Sequence, residues 1–66
     1  MEALNKAIDI CGGAKALADK AGVSKASVYF WKAGKPISAE SVIKIERATD
    51  GQVSRAELRP DLYEVA

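Results

Sequence analysis

A chain of 66 residues has room for one domain, and one that buries only about 60% of the surface its unfolded form exposes. With 48% apolar residues, five glycines and two prolines it is too apolar for a disordered tail, yet no run approaches the ~20 apolar residues that span a bilayer. A net charge of +1 excludes binding of polyanions by bulk charge alone, and one cysteine excludes an internal disulfide.

The distribution of charge says more than its sum. Residues 1–36 carry six lysines against three acids, and residues 37–66 carry four cations against six acids. The first half is therefore +3 and the second −2. A basic first half is the polarity of a surface that meets phosphates. Ordinary solvated surface charge produces the same figure in a chain this small, so charge alone leaves both readings open. Met1-Glu2-Ala3 has neither the basic start nor the apolar run of a secretory signal, so the expected location is the cytoplasm.

In chain order, Leu4, Ala7, Ile8 and Cys11 fall at helical spacing and predict a first helix from about Glu2 to Cys11, with Glu2 complementing its dipole. Gly12-Gly13 ends it. No strand precedes this glycine pair and no Gly-Lys-Ser/Thr follows, so it reads as a turn and not as a phosphate loop. Cys11 has no histidine or second cysteine to activate it and reads as a small buried hydrophobe. A second helix runs from about Ala14 to Ala21, with Leu17, Ala18 and Ala21 inward and Lys15 and Lys20 off that face. Ala18 is small enough for two helices to cross steeply beside a tight turn. Gly22 stands where the chain needs φ > 0. Ser24 then caps a third helix by accepting from the Ser27 N–H, and Val23 staples to Val28.

The third helix is expected from about Lys25 to Ala33. Val28 and Trp31 turn inward, which leaves Ala26, Tyr29, Phe30 and Ala33 outward and Lys25 and Lys32 on the flanks. Tyrosine and phenylalanine beside lysines are unusual on a plain solvent face. Gly34-Lys35-Pro36 is a loop. A fourth helix runs from about Ala39 to Thr49, capped by Ser38 and stapled by Ile37 and Val42, with Ile45 and Ala48 toward the core. Ile43 falls off that stripe, as a peripheral core residue or a contact to another chain. Asp50-Gly51 turns the chain. Ser54-Arg55-Ala56-Glu57 is a capping box with Val53 and Leu58 as its staple, and predicts a short fifth helix from about Arg55 to Arg59. Arg59 and Asp61 are placed to pair at the surface. Leu62, Tyr63 and Val65 close the core, lie along a partner or fray; the pattern leaves all three open.

Ala18, Gly22-Val23, Val28 and Trp31 have the spacing of the helix-turn-helix of phage Cro and repressor proteins. Ile45-Glu46-Arg47-Ala48-Thr49 and Leu58-Arg59-Pro60-Asp61 resemble the YdaS-like branch of the Cro family. The resemblance implies an all-α, compact five-helix lambda-repressor-like helix-turn-helix domain over residues 1–66. It also implies a sequence-specific regulator of double-stranded operator DNA, a Cro-like or antitoxin-like repressor of phage or prophage origin. Such proteins usually read two half-sites as dimers. No dimerisation segment is evident, so a stable homodimer and weak, DNA-assisted association stand as alternatives, and a toxin partner is left open. The chain departs from its relatives at Tyr29-Phe30, where more polar residues are usual, so an operator cannot be borrowed from them.

In that arrangement the third helix enters the major groove. Lys25 reaches guanine O6/N7, Ala26 and Phe30 touch thymine methyls, and Tyr29 donates to a base or a phosphate. Lys15, Ser24, Ser27, Lys32 and Lys35 are the phosphate candidates, joined by the N-terminal amides of the second helix. Lys20 reads as solvated. The opposing readings make the Tyr29/Phe30 face a site for a partner protein or a neighbouring subunit, or pack one of the two rings against the fourth helix. An enzyme is not expected: there is no histidine, no nucleophile beside a base, and Asp9, Asp19, Glu40 and Glu46 fall where helix surfaces are solvated. No metal or cofactor is expected for the same reason. Two substitutions separate the roles. Trp31→Ala should cost about 3–5 kcal/mol in chemical denaturation by leaving a cavity, while Tyr29→Ala should keep the helical spectrum and lose discrimination between duplexes.

Overall fold

Alanine fills four of the eight positions of the second helix, which makes that helix thin, and the fold closes around it. The computed structural model describes residues 2–63. Five helices follow in order: α1 Glu2–Cys11, α2 Ala14–Ala21, α3 Lys25–Lys32, α4 Ala39–Ala48 and α5 Arg55–Leu58. Helix α2 packs against α1, α3 and α4, and α5 closes against α4 and α1. Leu4, Leu17, Val28, Ile37, Val42, Ile45, Val53 and Leu58 are fully buried and come from every helix and two of the loops. Ala18 and Ala21 are buried among them, and Ala14 and Ala16 pack at the margin. A longer side chain at Ala18 would drive a neighbouring helix outward, because interiors are close-packed.

The helix starts and stops follow from local chemistry. Ser24, Ser38 and Ser54 each accept from the amide three residues on, and Glu57 returns the bond to the Ser54 amide, completing the capping box. The first four helices end alike, in an amide that reaches back five residues. Gly13 donates to the Ile8 carbonyl, Val23 to Ala18, Lys35 to Phe30 and Gly51 to Glu46, at 2.9–3.1 Å. This bond requires a left-handed residue just before the donor. At the hinge between α2 and α3 that residue is Gly22, with φ 72. After α4 it is Asp50, the one non-glycine residue at positive φ among those described. Helices α3, α4 and α5 each stop one residue before the sequence reading placed their ends, at Lys32, Ala48 and Leu58. The next residue in each case is the cap: its amide still donates to the carbonyl four residues back, from Ala33 to Tyr29, Thr49 to Ile45 and Arg59 to Arg55, and the chain leaves the helix there.

Packing corrects the sequence reading at the C-terminal end. Glu46 is not left to solvent. Its Oε1 accepts from Arg55 Nη2 at 2.8 Å and Nε at 3.1 Å, and its Oε2 accepts from the Arg55 amide at 2.8 Å. One carboxylate thus joins α4 to the first turn of α5. The Arg55 guanidinium lies 5.6 Å from the centre of the Tyr63 ring, and Tyr63 packs against the core. Arg59 and Asp61 pair as expected, in a two-pronged contact at 2.6 and 2.9 Å. Arg59 also donates to the Ile37 carbonyl, which pins the loop that follows α3. Thr49 is buried, with its hydroxyl 3.1 Å from the Ile45 and Glu46 carbonyls and accepting from the Val53 amide at 3.2 Å. Cys11 is buried beside the Ala48 carbonyl. Ile43 is half-buried, Leu62 is exposed, and Val65 lies outside the described residues.

Two expectations follow. Hydrogen bonds from the Arg55 side chain and then its amide hold the Glu46 carboxyl below its ordinary 4.5. Arg59 lowers Asp61 and the Ser54 amide lowers Glu57 in the same way. A carboxyl whose folded pKa is depressed stabilises above its unfolded pKa, and that stability is lost as pH falls through the folded value. The melting temperature should therefore hold steady down to about pH 5 and drop below it. Glu46→Gln should melt lower than the parent near neutrality, and the gap should narrow as pH falls below the ordinary carboxylate range through the folded value. Separately, a Cβ at Gly22 meets nothing within 4 Å, so Gly22→Ala tests the backbone alone. It should cost about 1–2 kcal/mol in urea denaturation, with Gly22→Asn milder.

Candidate nucleic-acid interface

Two neighbouring aromatic residues on α3 meet opposite fates. Trp31 is 6% exposed and lies in the core with Val28, while Phe30 is 60% and Tyr29 49% exposed. The periodicity of α3 leaves no other outcome once Val28 faces α2, because residues 29 and 30 then lie on the far side. Tyr29, Phe30 and Leu62 are the large hydrophobic residues exposed among those described, so two of the three share one turn of α3. With Ala26 and Ala33 they line a shallow, almost wholly apolar depression. Neither ring packs against the core, so the expectation that one of them closes on the fourth helix is not met.

Charged groups frame this depression. Lys25 and Lys32 flank Tyr29, with their Nζ atoms 5.7 and 5.9 Å from the ring centre. A cation over an exposed ring gains about 0.5–1 kcal/mol, enough to gather the two ammonium groups on this face. Lys35 is exposed in the loop just beyond, its backbone fixed by the bond to Phe30. Lys15 is exposed in the first turn of α2, where Gly13 supplies no side-chain cap. At the turn, the Ser24 and Ser27 hydroxyls lie 2.9 Å apart, and Ser24 also accepts from the Ser27 amide. One hydroxyl proton is used between the two, and the other remains free to donate outward.

The ion pairs divide the cations into two groups. Lys6 pairs with Glu57, Lys44 with Glu40, Arg55 with Glu46 and Arg59 with Asp61. Among the described residues, Lys15, Lys20, Lys25, Lys32 and Lys35 form no ion pair. All five lie between Ala14 and Lys35, a stretch whose single acid is Asp19. Helices α2 and α3 and the following loop therefore carry unneutralised positive charge, while on the α4–α5 side Lys44, Arg55 and Arg59 are paired and Arg47 is the one cation outside an ion pair among the described residues. The pattern Lys25-x3-Tyr29-x2-Lys32 was readable from spacing, as was Glu40 four residues before Lys44. The Lys6–Glu57 and Glu46–Arg55 pairs join different helices and carried no local signal.

The arrangement offers apolar contact, ammonium groups and a free hydroxyl donor around the exposed face of α3. Those are the elements for binding an anion beside an apolar edge. The sequence-predicted residues of α3 lie on one exposed face: Ala26, Tyr29 and Phe30 at its centre, Lys25 and Lys32 around the tyrosine ring. Ser24 and Ser27 sit at the N-terminus of the same helix. No described helix is long and apolar enough to cross a membrane.

Residues 4–66 match the family described as "Bacterial toxin YdaS". The chain is 45% identical over 58 residues to the Escherichia coli (strain K12) protein named "Putative transcriptional regulator YdaS". That match takes in 86% of this chain and 59% of the relative, so the chain spans about three-fifths of the relative's length. The fold is also that of a solved structure, the Cro protein from "putative prophage element Xfaso 1" in Xylella fastidiosa strain Ann-1. The two superpose with a TM-score of 0.90 and 40% sequence identity, over 98% of this chain and 100% of the other. Neither relative bears the name of an enzyme. A helix-turn-helix of this shape, matched through nearly its whole length in sequence and in structure, makes the chain a member of the YdaS family, with the fold of a Cro protein.

Proposed function

We propose that the chain is a sequence-specific regulator of double-stranded DNA, a Cro-like repressor in which α3 enters the major groove. The observation that carries this reading is the coincidence of two unpaired lysines, Lys25 and Lys32, with the exposed aromatic face of α3, and Lys35, also unpaired, lies exposed in the next loop. A major groove about 12 Å wide admits one helix, and phosphates line both of its rims. In this reading Lys25, Ala26, Tyr29 and Phe30 meet base edges. Lys15, Ser24, Ser27, Lys32 and Lys35 meet phosphates and set the register of the helix. Repression follows from occupying a promoter. The names of the two relatives, a transcriptional regulator and a Cro protein, support a regulator; the family's description names a toxin, and no feature of the described surface calls for that role.

The apolar depression on α3 favours a second reading, a docking face for a partner protein. Salt separates the two. About five phosphate contacts release counterions, so log K should fall against log salt with a slope near −4 to −5. Lys15→Ala should reduce that slope by about 0.9 and weaken all duplexes alike. Apolar docking on a protein would be nearly indifferent to salt. The measurement is fluorescence anisotropy of labelled duplexes drawn from a random pool, titrated at several salt concentrations. A folded sample that binds no duplex at low salt sinks the proposal.

A further inference from the structure

The outward residues of α3 are poor in the groups that read bases by hydrogen bonding. Arginine and lysine read guanine by paired hydrogen bonds, and asparagine and glutamine read adenine. Residues 25–33 contain no arginine, asparagine or glutamine. The two lysines are drawn toward the Tyr29 ring at the edges of the face. Its centre is the depression lined by Ala26, Tyr29, Phe30 and Ala33, where the tyrosine hydroxyl is the only side-chain polar group. Apart from that hydroxyl, the centre of the face offers a base edge apolar contact alone.

The major groove presents one apolar group on its floor, the C5-methyl of thymine. A 5-methylcytosine carries the same methyl at the same ring position. Resting on the proposed docking of α3 in the major groove, we propose that the protein selects its site through pyrimidine C5-methyl groups, received by Ala26, Phe30 and Ala33. The occupant is duplex DNA because the rim of the depression is cationic, and a wholly apolar partner would leave Lys25 and Lys32 without counter-charge. The Phe30 ring supplies the larger contact and the alanines leave room for the methyl to seat. Discrimination then lies between a methylated and an unmethylated pyrimidine, and cytosine methylation becomes able to create affinity where a thymine is absent.

The test starts from duplexes selected from a random pool by the full chain. Each thymine is replaced in turn by deoxyuridine, which keeps base pairing and removes only the methyl. Burying one methyl-sized group is worth a factor of about three to five in affinity, so uridine at a contacted position should weaken binding by that factor. At the same position a 5-methylcytosine·guanine pair should bind more tightly than the unmethylated pair by a similar factor. Phe30→Ala, at an exposed position and checked for an unchanged helical spectrum, should abolish both effects while leaving the salt slope intact. Specific binding that is unmoved by uridine at every thymine overturns the methyl reading and leaves the DNA-binding reading standing. A uridine penalty that persists undiminished in Phe30→Ala also overturns it, since the methyl then acts through duplex shape. Failure to retain any duplex at low salt overturns both readings together.

Discussion

The fold depends on how closely three helices approach one. Helix α2 touches α1, α3 and α4, and it does so through Leu17 and a set of alanines. Alanine presents only one methyl to a neighbour, and small residues at a contact let helices approach closely. That proximity sets where α3 lies and hence which of its residues can be inward. Val28 and Trp31 fill the space that α2 leaves, and the remaining face of α3 is turned out by geometry alone. The exposed Tyr29 and Phe30 are thus a consequence of small residues elsewhere.

Electrostatics divides the molecule along a different line. The α4–α5 side satisfies most of its charges internally, through Glu46 with Arg55, Arg59 with Asp61 and Glu40 with Lys44, with Arg47 outside these pairs. The first joins α4 to α5 and the others are local, while the Arg59 bond to the Ile37 carbonyl reaches back 22 residues and steadies the loop that leads away from α3. The side formed by α2, α3 and the following loop does the opposite. Its lysines keep their counter-ion sites open to solvent, where salt ions occupy them until a polyanion replaces them. A net charge of +1 conceals this division, because the ion pairs sum to zero and acids such as Glu2, Asp9 and Asp50 offset the lysines elsewhere in the chain.

The exposed aromatic pair contributes nothing to the core, and in a chain with so small an interior that surface represents stability forgone. Phe30 at 60% exposure is hydrated in the free protein, and covering it releases that water whatever the partner. Framed by ammonium groups, it suits a surface that is itself apolar at the centre and anionic at the rim. The proposed duplex has that character: base edges with methyl groups between two lines of phosphates.

Local signals in the chain were sufficient for the helices, their caps and the orientation of α3. Ser24, Ser38 and Ser54, the glycine at position 22, and the Val28–Trp31 stripe each act within a few residues, and hydrogen bonds or burial over that range follow from spacing. The face carrying Tyr29 and Phe30 was readable for the same reason, as the complement of a buried stripe. Contacts between distant segments were not. Glu46 looked solvated because nothing near it in sequence is its partner; Arg55 reaches it only after α5 folds back onto α4. Thr49 looked like a helix end, and only the return of Val53 gives its hydroxyl an amide to bind. Arg59 looked like half of a surface pair until the loop at Ile37 was brought beneath it. Which lysines remain unneutralised was decided in the same way, since an ion pair between helices exists only where packing brings the two charges within reach.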